Sequence, residues 1–562
     1  MKKRISRRNF IKSSAQAGLF ISLAGSSLLR SKTADTYDLV IKNGTVIDGV
    51  KNKEYKTDLG IIGEHIERID NLNGVKNRSI IDATDRIVSP GFIDIHTHTD
   101  YELLANPKAE SKIRQGVTTE LTGNCGSSAF PIEQPLSDDK KRMAEKLGIT
   151  VHWTNLEGYH AALSKKGMAV NHGTLVGQGT VRSYVMGDVQ REPTAEEMDR
   201  MKRHVAEALE QGAFGLSTGL EYTPSGYADT DEIIELCKIA AEYGGFYATH
   251  IRSEDKAVIE AVAEAIHIAE SAGLPLEIAH FKAAGKTNWW KLSKMIDLIE
   301  GAAQRGLPVT ADRYPYIAFS TGLTILFPQW ALDGGMERLI TRLKDERIRE
   351  SMKTDTLEKV KGYGWEKIVI SNVDKEQNKD LIGKNIQEIA AAKNVDPYEF
   401  VCDLIINEGQ DVSHIGFGMS EENTQKVLQH PQVMLGSDGS SLAPYGPLSE
   451  GKPHPRNYGA FPRFLGYYVR EKKILPLPEA VKKVTSMPAA KMGLQARGSL
   501  KEGNFADIVI FDHKTILDKA TFIDPHQYPV GIDYVIVNGK IVIDHGKHTG
   551  ELPGKVLYGP AK

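Results

Sequence analysis

Short apolar runs alternate with amphipathic stretches from about residue 89 to residue 490. Residues 196–211 carry apolar positions at helical spacing and are followed by an apolar run at 214–217. Residues 256–272 repeat this pattern before a second run at 276–279. Alternating strands and helices indicate βαβ units around a parallel sheet. Because many such units follow one another, the sequence predicts an α/β fold with a (β/α)₈ TIM-like barrel over residues 89–490.

Both ends of the chain have a different pattern, with short β-like runs separated by turn residues. Residues 37–48 place Asn43-Gly44 between two such runs, which favours a hairpin turn. Residues 506–511 and 534–543 are similar in character. The sequence therefore predicts a small β domain built from residues 35–88 together with residues 491–562.

Residues 320–385 interrupt the barrel pattern. They include a charged helical stretch at 336–353 and no clear next barrel strand. We expect an insertion on a barrel loop. Such loops form the active-site face at the strand carboxyl ends, so the segment is either a lid or pocket wall or an inert surface excursion.

Residues 1–34 have the composition of a targeting segment. The start is basic, and the apolar stretch at about 15–29 is too short and too rich in Ser and Gly to span a bilayer. The run Ser-Arg-Arg-Asn-Phe-Ile-Lys at residues 6–12 resembles a twin-arginine export signal. No cysteine follows that would carry a lipid anchor. We expect an exported, periplasmic protein with no stable membrane insertion after signal removal.

Composition restricts the classes of partner. The 562 residues include 70 Lys+Arg and 73 Asp+Glu, so the net charge is only -3 and indicates neither nucleic-acid binding nor a polybasic membrane patch. Three cysteines are too few for a disulfide framework. Cys237 and Cys402 lie in amphipathic helical runs and are expected in the core. Cys125, between glycines, is left as a candidate for chemistry.

Histidines follow apolar runs at three places along the chain. His96 and His98 end the run at 92–95, and strand alternation places both imidazoles on one side. His250 and His280 end two later runs that are one βα unit apart. Two or more imidazoles converging at strand ends make a divalent-metal site. A thiolate is also a tight zinc ligand, although Cys125 considered alone would more commonly be buried and inert.

Asp438 follows the last apolar run of the barrel region, at residues 433–435. A carboxylate beside a metal-activated water is what a general base requires. The same residue type also occurs commonly as a helix cap or turn residue. In the company of the histidines, the position favours the catalytic interpretation.

These motifs resemble the amidohydrolase superfamily and, within it, the N-acyl-D-amino-acid deacylases. The resemblance covers essentially all of the chain after the signal and includes PGFIDIHTHTD (90–100), GNCG (123–126), THIRSE (249–254), GSDG (436–439) and HPR (454–456). Most amidohydrolases bridge two metals with a carboxylated lysine, whereas this family uses a cysteine, and Cys125 falls at that place. The resemblance implies zinc-dependent hydrolysis of N-acyl-D-amino acids to a carboxylic acid and a free D-amino acid.

The resemblance also implies the roles of the site residues. It implies a tight zinc held by Cys125, His250 and His280, and a weaker second metal position at His96 and His98 that shares Cys125. It implies Asp438 as the catalytic acid/base, and Lys282, Tyr314 and Arg456, with Tyr222 nearby, as the residues that bind the substrate's α-carboxylate.

Two other functions remain open on the sequence. One is a cyclic-amide hydrolase or a D-residue dipeptidase of the same superfamily, and the other is a non-catalytic periplasmic zinc- or ligand-binding protein. The preferred side chain is also open. Arg252 and Arg313 would suit an acidic substrate, or either would be paired with Glu221, Glu254 or Asp312.

Overall fold

The computed structural model describes residues 36–562, so the predicted signal at residues 1–34 lies outside the described residues. The first described part is all β: strands β1 (Leu39–Lys42), β2 (Thr45–Val46), β3 (Tyr55–Lys56), β4 (Asp58–Ile62), β5 (His65–Asp70), β6 (Ile80–Asp82) and β7 (Ile87–Pro90). Four of them form a sheet in the order β5-β4-β1-β6.

The predicted hairpin at Asn43-Gly44 is wrong. β1 pairs with β4 and β6, whereas β2 pairs with β3 and β7, so the turn carries the chain from one sheet to another. Asn43 has a φ of 63°, a left-handed conformation that Asn tolerates in hairpin turns and corners alike. The turn residues therefore identified the bend but not the pairing.

The barrel begins with seven parallel strands, the third of which is interrupted at Leu175. They are β8 (Phe92–Asp94), β9 (Val117–Thr122), β10 (Asn171–Thr174) with β11 (Val176–Gly177), β12 (Gly215–Gly219), β13 (Phe246–His250), β14 (Leu276–Ile278) and β15 (Val309–Arg313).

Helices accompany these strands: α1 (Glu102–Ala105), α2 (Glu110–Ile113), α3 (Asp138–Leu147), α4 (Leu156–Lys166), α5 (Gln178–Met186), α6 (Ala195–Glu210), α7 (Thr230–Glu242), α8 (Val258–Ala272) and α9 (Leu292–Gln304). The two helices predicted from periodicity, α6 and α8, are confirmed to within two residues. A capping box of Thr194 and Glu197 satisfies the first backbone amides of α6.

The insertion is larger than predicted. It contains β16 (Phe319–Gly322), β17 (Ile368–Asn372) and β18 (Ser413–Gly416) in one antiparallel sheet, with α10 (Met336–Lys344), α11 (Glu346–Val360), α12 (Ile386–Lys393) and α13 (Pro397–Glu408). Its separate apolar core runs from Leu323 to Val412. The predicted end at 385 is wrong because α12 and α13, which have ordinary amphipathic sequences, pack on this core.

The helical stretch predicted at 336–353 is two helices. Asp345 separates them, and its side chain accepts hydrogen bonds from the amides of Arg347 and Ile348 at the start of α11. This is N-cap chemistry, which stops one helix and starts the next. The helical periodicity did not reveal the break because the apolar positions continue across it.

The eighth barrel strand is β19 (Val433–Leu435), which pairs with β15. The barrel closes where Thr97 and Gly439 form a parallel bridge and the Asp438 amide donates to the His96 carbonyl at 2.8 Å. Helices α14 (Glu421–Gln429), α15 (Arg456–Arg463), α16 (Leu477–Lys483) and α17 (Ser486–Lys491) and a π-helical turn (Phe464–Glu471) surround it.

The chain end returns to β structure with β20 (Ile508–Phe511), β21 (Ile532–Val537), β22 (Lys540–Asp544) and β23 (Lys547–His548). β20 pairs antiparallel with β7 in a seven-stranded sheet, so strands from both ends share one sheet. The small β domain built from both chain ends is confirmed. No helix within residues 36–562 has the length and apolar character needed to cross a bilayer.

Candidate active site

Six predicted site residues meet at the carboxyl ends of the barrel strands. His96 and His98 follow β8, Cys125 follows β9, His250 ends β13, His280 follows β14 and Asp438 follows β19. Cys125, His280 and Asp438 have positive φ angles of 51°, 34° and 52°. Strained backbone of this kind persists where the surrounding structure fixes it, and it clusters at functional sites.

The donor atoms of these residues face one another. Cys125 Sγ lies 3.4 Å from His96 Nε2 and 3.7 Å from His280 Nε2. His250 Nδ1 lies 3.0 Å from His280 Nε2. His96 and His98 approach Asp438 Oδ1 with their Nε2 atoms, at 3.5 and 3.0 Å. One thiol, four imidazoles and one carboxylate therefore surround a common point.

The outward-facing nitrogen of three of these imidazoles contacts a carboxylate. His96 Nδ1 donates to Asp312 Oδ2 at 3.0 Å, and His250 Nε2 donates to Glu221 Oε2 at 3.2 Å. His280 Nδ1 lies 2.8 Å from an oxygen of Glu254. Such carboxylate partners fix the tautomer, so the inward nitrogen carries the lone pair that a metal requires. The residues present therefore fit a divalent metal with nitrogen and sulfur ligands.

Glycines position the Cys125 thiol as the sequence suggested. A Cβ at Gly123 would lie 2.1 Å from the Leu175 carbonyl oxygen, and one at Gly126 would lie 2.7 Å from the Gly219 amide nitrogen. Burial opposes ionisation of the thiol, but His96 and the hydrogen bonds from the imidazoles outweigh it and hold the pKa of Cys125 well below its ordinary value. The thiolate form is the one that binds zinc.

Asp438 is buried and held at both oxygens. Oδ1 accepts from His98 Nε2 at 3.0 Å, and Oδ2 accepts from Arg456 Nη1 at 2.6 Å. Burial alone would raise the pKa of Asp438, but Arg456 and the hydrogen bond from His98 bring it well below its ordinary value. The carboxylate is thus kept ionised with one oxygen directed at the donor cluster.

Three predicted substrate-binding residues, Lys282, Tyr314 and Arg456, lie close to one another, and Lys282 and Tyr314 line the same cavity as Asp438. Lys282 Nζ lies 5.8 Å from the centre of the Tyr314 ring, and the Arg456 guanidinium lies 5.2 Å from it. The Tyr314 hydroxyl is fully buried, and among the described residues it has no hydrogen-bond partner. Because buried polar groups are normally paired, this hydroxyl indicates a site for an acceptor group of a ligand.

Two cavities adjoin the donor cluster, and Tyr222 lines both. An open cleft of about 700 Å³ includes His98, Cys125 and Arg456, whereas a smaller chamber of about 50 Å³ lies towards the insertion. The Tyr222 ring packs edge-on against His250, and its hydroxyl accepts from Thr321 Oγ1 at 3.2 Å. Tyr222 therefore lies where the two cavities meet, together with His280 and Asp438, which also line both.

The sequence left Arg252 and Arg313 as candidates for an acidic substrate or for pairing with Glu221, Glu254 or Asp312. Neither arginine lines the two cavities, so neither is placed to bind an acidic substrate. Neither pairs with Glu221, Glu254 or Asp312 either. Arg252 pairs with Glu264 at 2.8 Å, and Arg313 donates to the Tyr316 carbonyl at 2.9 Å.

The carboxylates of Glu221, Glu254 and Asp312 instead contact ring nitrogens of His250, His280 and His96. The sequence analysis missed this role. Asp312 stands at a strand end, as His250 does, and Glu254 follows His250 by four residues. These positions were the available signals for their role.

Comparisons with known proteins agree with this geometry. A sequence profile of the amidohydrolase family matches residues 79–543. The D-aminoacylase of Alcaligenes xylosoxydans xylosoxydans is 36% identical over 93% of this chain and 97% of its own length. The N-acyl-D-glutamate deacylase of Bordetella bronchiseptica, solved with zinc and a phosphonate mimic of the tetrahedral intermediate, is 32% identical, with a TM-score of 0.79 over 93% of this chain and 100% of its own.

A solved D-aminoacylase described with a binuclear metal centre is also similar, at 34% identity and a TM-score of 0.77, over 93% of this chain and 100% of that one. The family match spans most of the chain, and the relatives named as deacylases exceed 30% identity over nearly their whole length. The chain therefore belongs to the amidohydrolase family and, within it, to the group of D-aminoacylases and N-acyl-D-amino-acid deacylases.

Proposed function

We propose that this protein is a zinc-dependent enzyme that hydrolyses the amide bond of N-acyl-D-amino acids to a carboxylic acid and a free D-amino acid. One observation carries the proposal: the thiol–imidazole cluster lies beside the buried, unpartnered hydroxyl of Tyr314. Three cations, those of Lys282, Arg313 and Arg456, lie within 6 Å of the centre of its ring. Metal ligands next to a carboxylate-binding pocket are what an N-acyl amino acid requires.

Cys125, His250 and His280 would hold the tight zinc. The 3.0 and 3.7 Å separations among His250 Nδ1, His280 Nε2 and Cys125 Sγ support this set. His96 and His98 would form a second, weaker metal position that shares Cys125. The related D-aminoacylase is described as activated by one metal and attenuated by a second, which supports unequal positions here.

When bound, zinc supplies Lewis acidity, which polarises the amide carbonyl and lowers the pKa of a water to about 7. Asp438 Oδ1 faces the donor cluster and takes the proton as water adds to the amide carbonyl. Oδ2 stays bound to Arg456 Nη1, so the carboxylate keeps its orientation throughout. Asp438 then returns the proton to the leaving nitrogen, and the acid and the free amine separate.

The substrate is oriented by its α-carboxylate. A carboxylate placed against Tyr314 would meet the free hydroxyl and the charges of Lys282 and Arg456, and charge-assisted hydrogen bonds of this type are the strong ones. Lys282 is held by Glu254 at 2.5 Å, which fixes its position before the substrate arrives. This arrangement puts the acyl group in the open cleft and the amino-acid side chain in the smaller chamber.

The test combines metal analysis with a substrate panel on one preparation. We expect zinc in the purified protein and turnover of N-acetyl-D-methionine, N-acetyl-D-leucine and N-acetyl-D-glutamine, with the L enantiomers at least about 100-fold slower. Hydantoins and dipeptides ending in a D-residue serve as competing substrates, and the Asp438→Asn protein controls for contaminating activity. Faster turnover of either competitor, or zinc binding without turnover of any amide, would reject the proposal.

We also propose export by the twin-arginine route into the periplasm. The run Ser-Arg-Arg-Asn-Phe-Ile-Lys at residues 6–12 supports this, since the receptor of that route reads the arginine pair. Replacing Arg7 and Arg8 by lysine keeps the charge and is expected to retain the protein in the cytoplasm. Arg4→Lys is the matched control and should be exported normally; equal export of both proteins would contradict the route.

A further inference from the structure

The smaller chamber ends at an ion pair contributed by two separate parts of the chain. Glu221 follows β12 of the barrel, whereas Lys359 lies in α11 of the insertion, and Lys359 Nζ is 3.2 Å from Glu221 Oε1. Lys359 also donates to the Ile325 carbonyl at 2.7 Å. Both charged side chains are largely buried, at 25% and 11% exposure. The insertion thus closes the chamber with a fixed pair of charges.

The charges that face the chamber are unequal. Glu221, Glu254, Asp255 and Asp438 contribute four carboxylates, whereas Lys282 and Lys359 contribute two ammonium groups. Each ammonium has its own carboxylate, Glu254 at 2.5 Å and Glu221 at 3.2 Å. Among the described residues that line the chamber, no cation is left for a second carboxylate on the substrate. An acidic side chain would add a fifth carboxylate at low dielectric, which is strongly unfavourable.

The ion pair retains hydrogen-bonding capacity. An ammonium has three donors, and Lys359 uses one on Glu221 and one on the Ile325 carbonyl. The Glu221 carboxylate contacts Lys359 and His250 and keeps further lone pairs. One donor and one acceptor therefore stand about 3 Å apart. A carboxamide presents an acceptor and a donor from a single planar group, and this matches the pair.

We infer that the Glu221–Lys359 pair determines side-chain specificity, so that the chamber accepts a neutral carboxamide side chain, that of D-glutamine or D-asparagine, and rejects the corresponding acid. This inference rests on the proposed function. The apolar side chains of Phe319, Ile325 and Tyr363 line the way to the pair and receive the methylene groups of the substrate.

The test uses near-isosteric substrates on the full-length zinc enzyme. N-acetyl-D-glutamine and N-acetyl-D-glutamate differ in charge, and N-acetyl-D-methionine replaces the amide by an apolar group of similar size. We expect kcat/KM for the glutamine compound to exceed that for the glutamate compound at least about tenfold, the size of one unpaired charged contact. A preference for the glutamate compound would overturn the inference while leaving deacylation intact.

Two variants are expected to change different ratios of kcat/KM between the three substrates. Glu221→Gln removes one carboxylate and releases Lys359, so the glutamine-to-glutamate ratio should fall about tenfold or more. Lys359→Met keeps the stem and removes the donor, so the glutamine-to-methionine ratio should fall while the glutamate compound stays poor. Zinc content is measured in both variants, because Glu221 also supports His250.

The matched control is Glu358→Gln. Glu358 adjoins Lys359 on α11 but faces Lys256 at the surface, at 3.1 Å and 48% exposure. Its replacement changes the charge by the same amount outside the chamber and should leave all three substrate ratios unchanged. If Glu221→Gln behaves like this control with full zinc content, the pair does not determine specificity. If the wild-type enzyme turns over none of the three compounds, the proposed function itself fails.

Discussion

Asp312 and His96 form a buried carboxylate–imidazole pair, with Asp312 Oδ2 3.0 Å from His96 Nδ1. The other Asp312 oxygen accepts the backbone amide of His280 at 3.0 Å. One carboxylate on β15 therefore fixes two candidate ligands that are 184 residues apart in the sequence. Partners of this kind orient metal ligands and raise their basicity.

We expect Asp312→Asn to weaken zinc binding at the position that includes His96 by about 10- to 100-fold, the usual effect of losing such a partner. Zinc titration against a chelating dye measures it. Glu277→Gln is the control, since Glu277 lies on the neighbouring strand and is bound by Thr310 rather than by an imidazole. Equal affinities in the two variants would show that Asp312 only stabilises the fold.

Cys125→Ala should lose the tight zinc. The thiolate is the anionic ligand of the proposed tight set, and two imidazoles alone leave the metal with half of its usual four ligands. Metal analysis of the purified variant measures this. Cys237→Ala is the matched control, because Cys237 is fully buried in α7 and should keep zinc. Stoichiometric zinc in Cys125→Ala would contradict the ligand set.

Asp438→Asn should slow the chemical step while leaving zinc and substrate binding intact. Loss of a general acid/base costs about 10²–10⁴ in rate, so kcat should fall by that factor while zinc stays bound. KM should not rise, because Arg456, which is 2.6 Å from Asp438, then faces at most a neutral amide oxygen and interacts more freely with the substrate carboxylate. A raised KM with an unchanged kcat would show that Asp438 shapes the substrate pocket and is not the acid/base.

The sequence predicted the positions of the donors better than their connections. His250 and His280 could be placed at one end of the barrel because strand ends are readable from apolar periodicity. Asp312, Glu254 and Glu221 could not be assigned to histidines, because a carboxylate in sequence carries no sign of its partner in space. The arginines next to them in the chain suggested pairing that the structure does not contain.

The insertion shows a second limit of sequence patterns. Residues 386–408 form α12 and α13 with ordinary apolar spacing, so the pattern did not distinguish a barrel helix from an inserted one. The decisive contacts are with the core that includes Leu339 and Leu343, which periodicity does not reveal. The same reasoning applies to Asn43-Gly44, where the turn was readable and the strand partners were not.

Leu339→Ala should loosen the insertion. Leu339 is fully buried in the insertion core, and removing a buried leucine side chain costs about 2–5 kcal/mol. Limited proteolysis and chemical denaturation should show earlier unfolding of this part. Leu357→Ala, at a residue 41% exposed in α11, is the control and should have little effect. Equal protection of the two variants would mean that the insertion does not unfold separately.

Tyr314→Phe should weaken substrate binding without lowering the stability of the protein. An unsatisfied buried hydroxyl costs about 1–3 kcal/mol, so its removal should leave the free energy of unfolding unchanged or raise it. The hydroxyl is proposed to bind the substrate's α-carboxylate, and a hydrogen bond to a charged group contributes about 1.5–3 kcal/mol. KM should therefore rise at least about tenfold.

Tyr398→Phe is the control, since its buried hydroxyl donates to the Arg349 carbonyl at 2.5 Å. This variant should lose stability and keep its KM. If Tyr314→Phe instead loses stability and keeps its KM, the hydroxyl has a partner within the protein and the carboxylate pocket lies elsewhere.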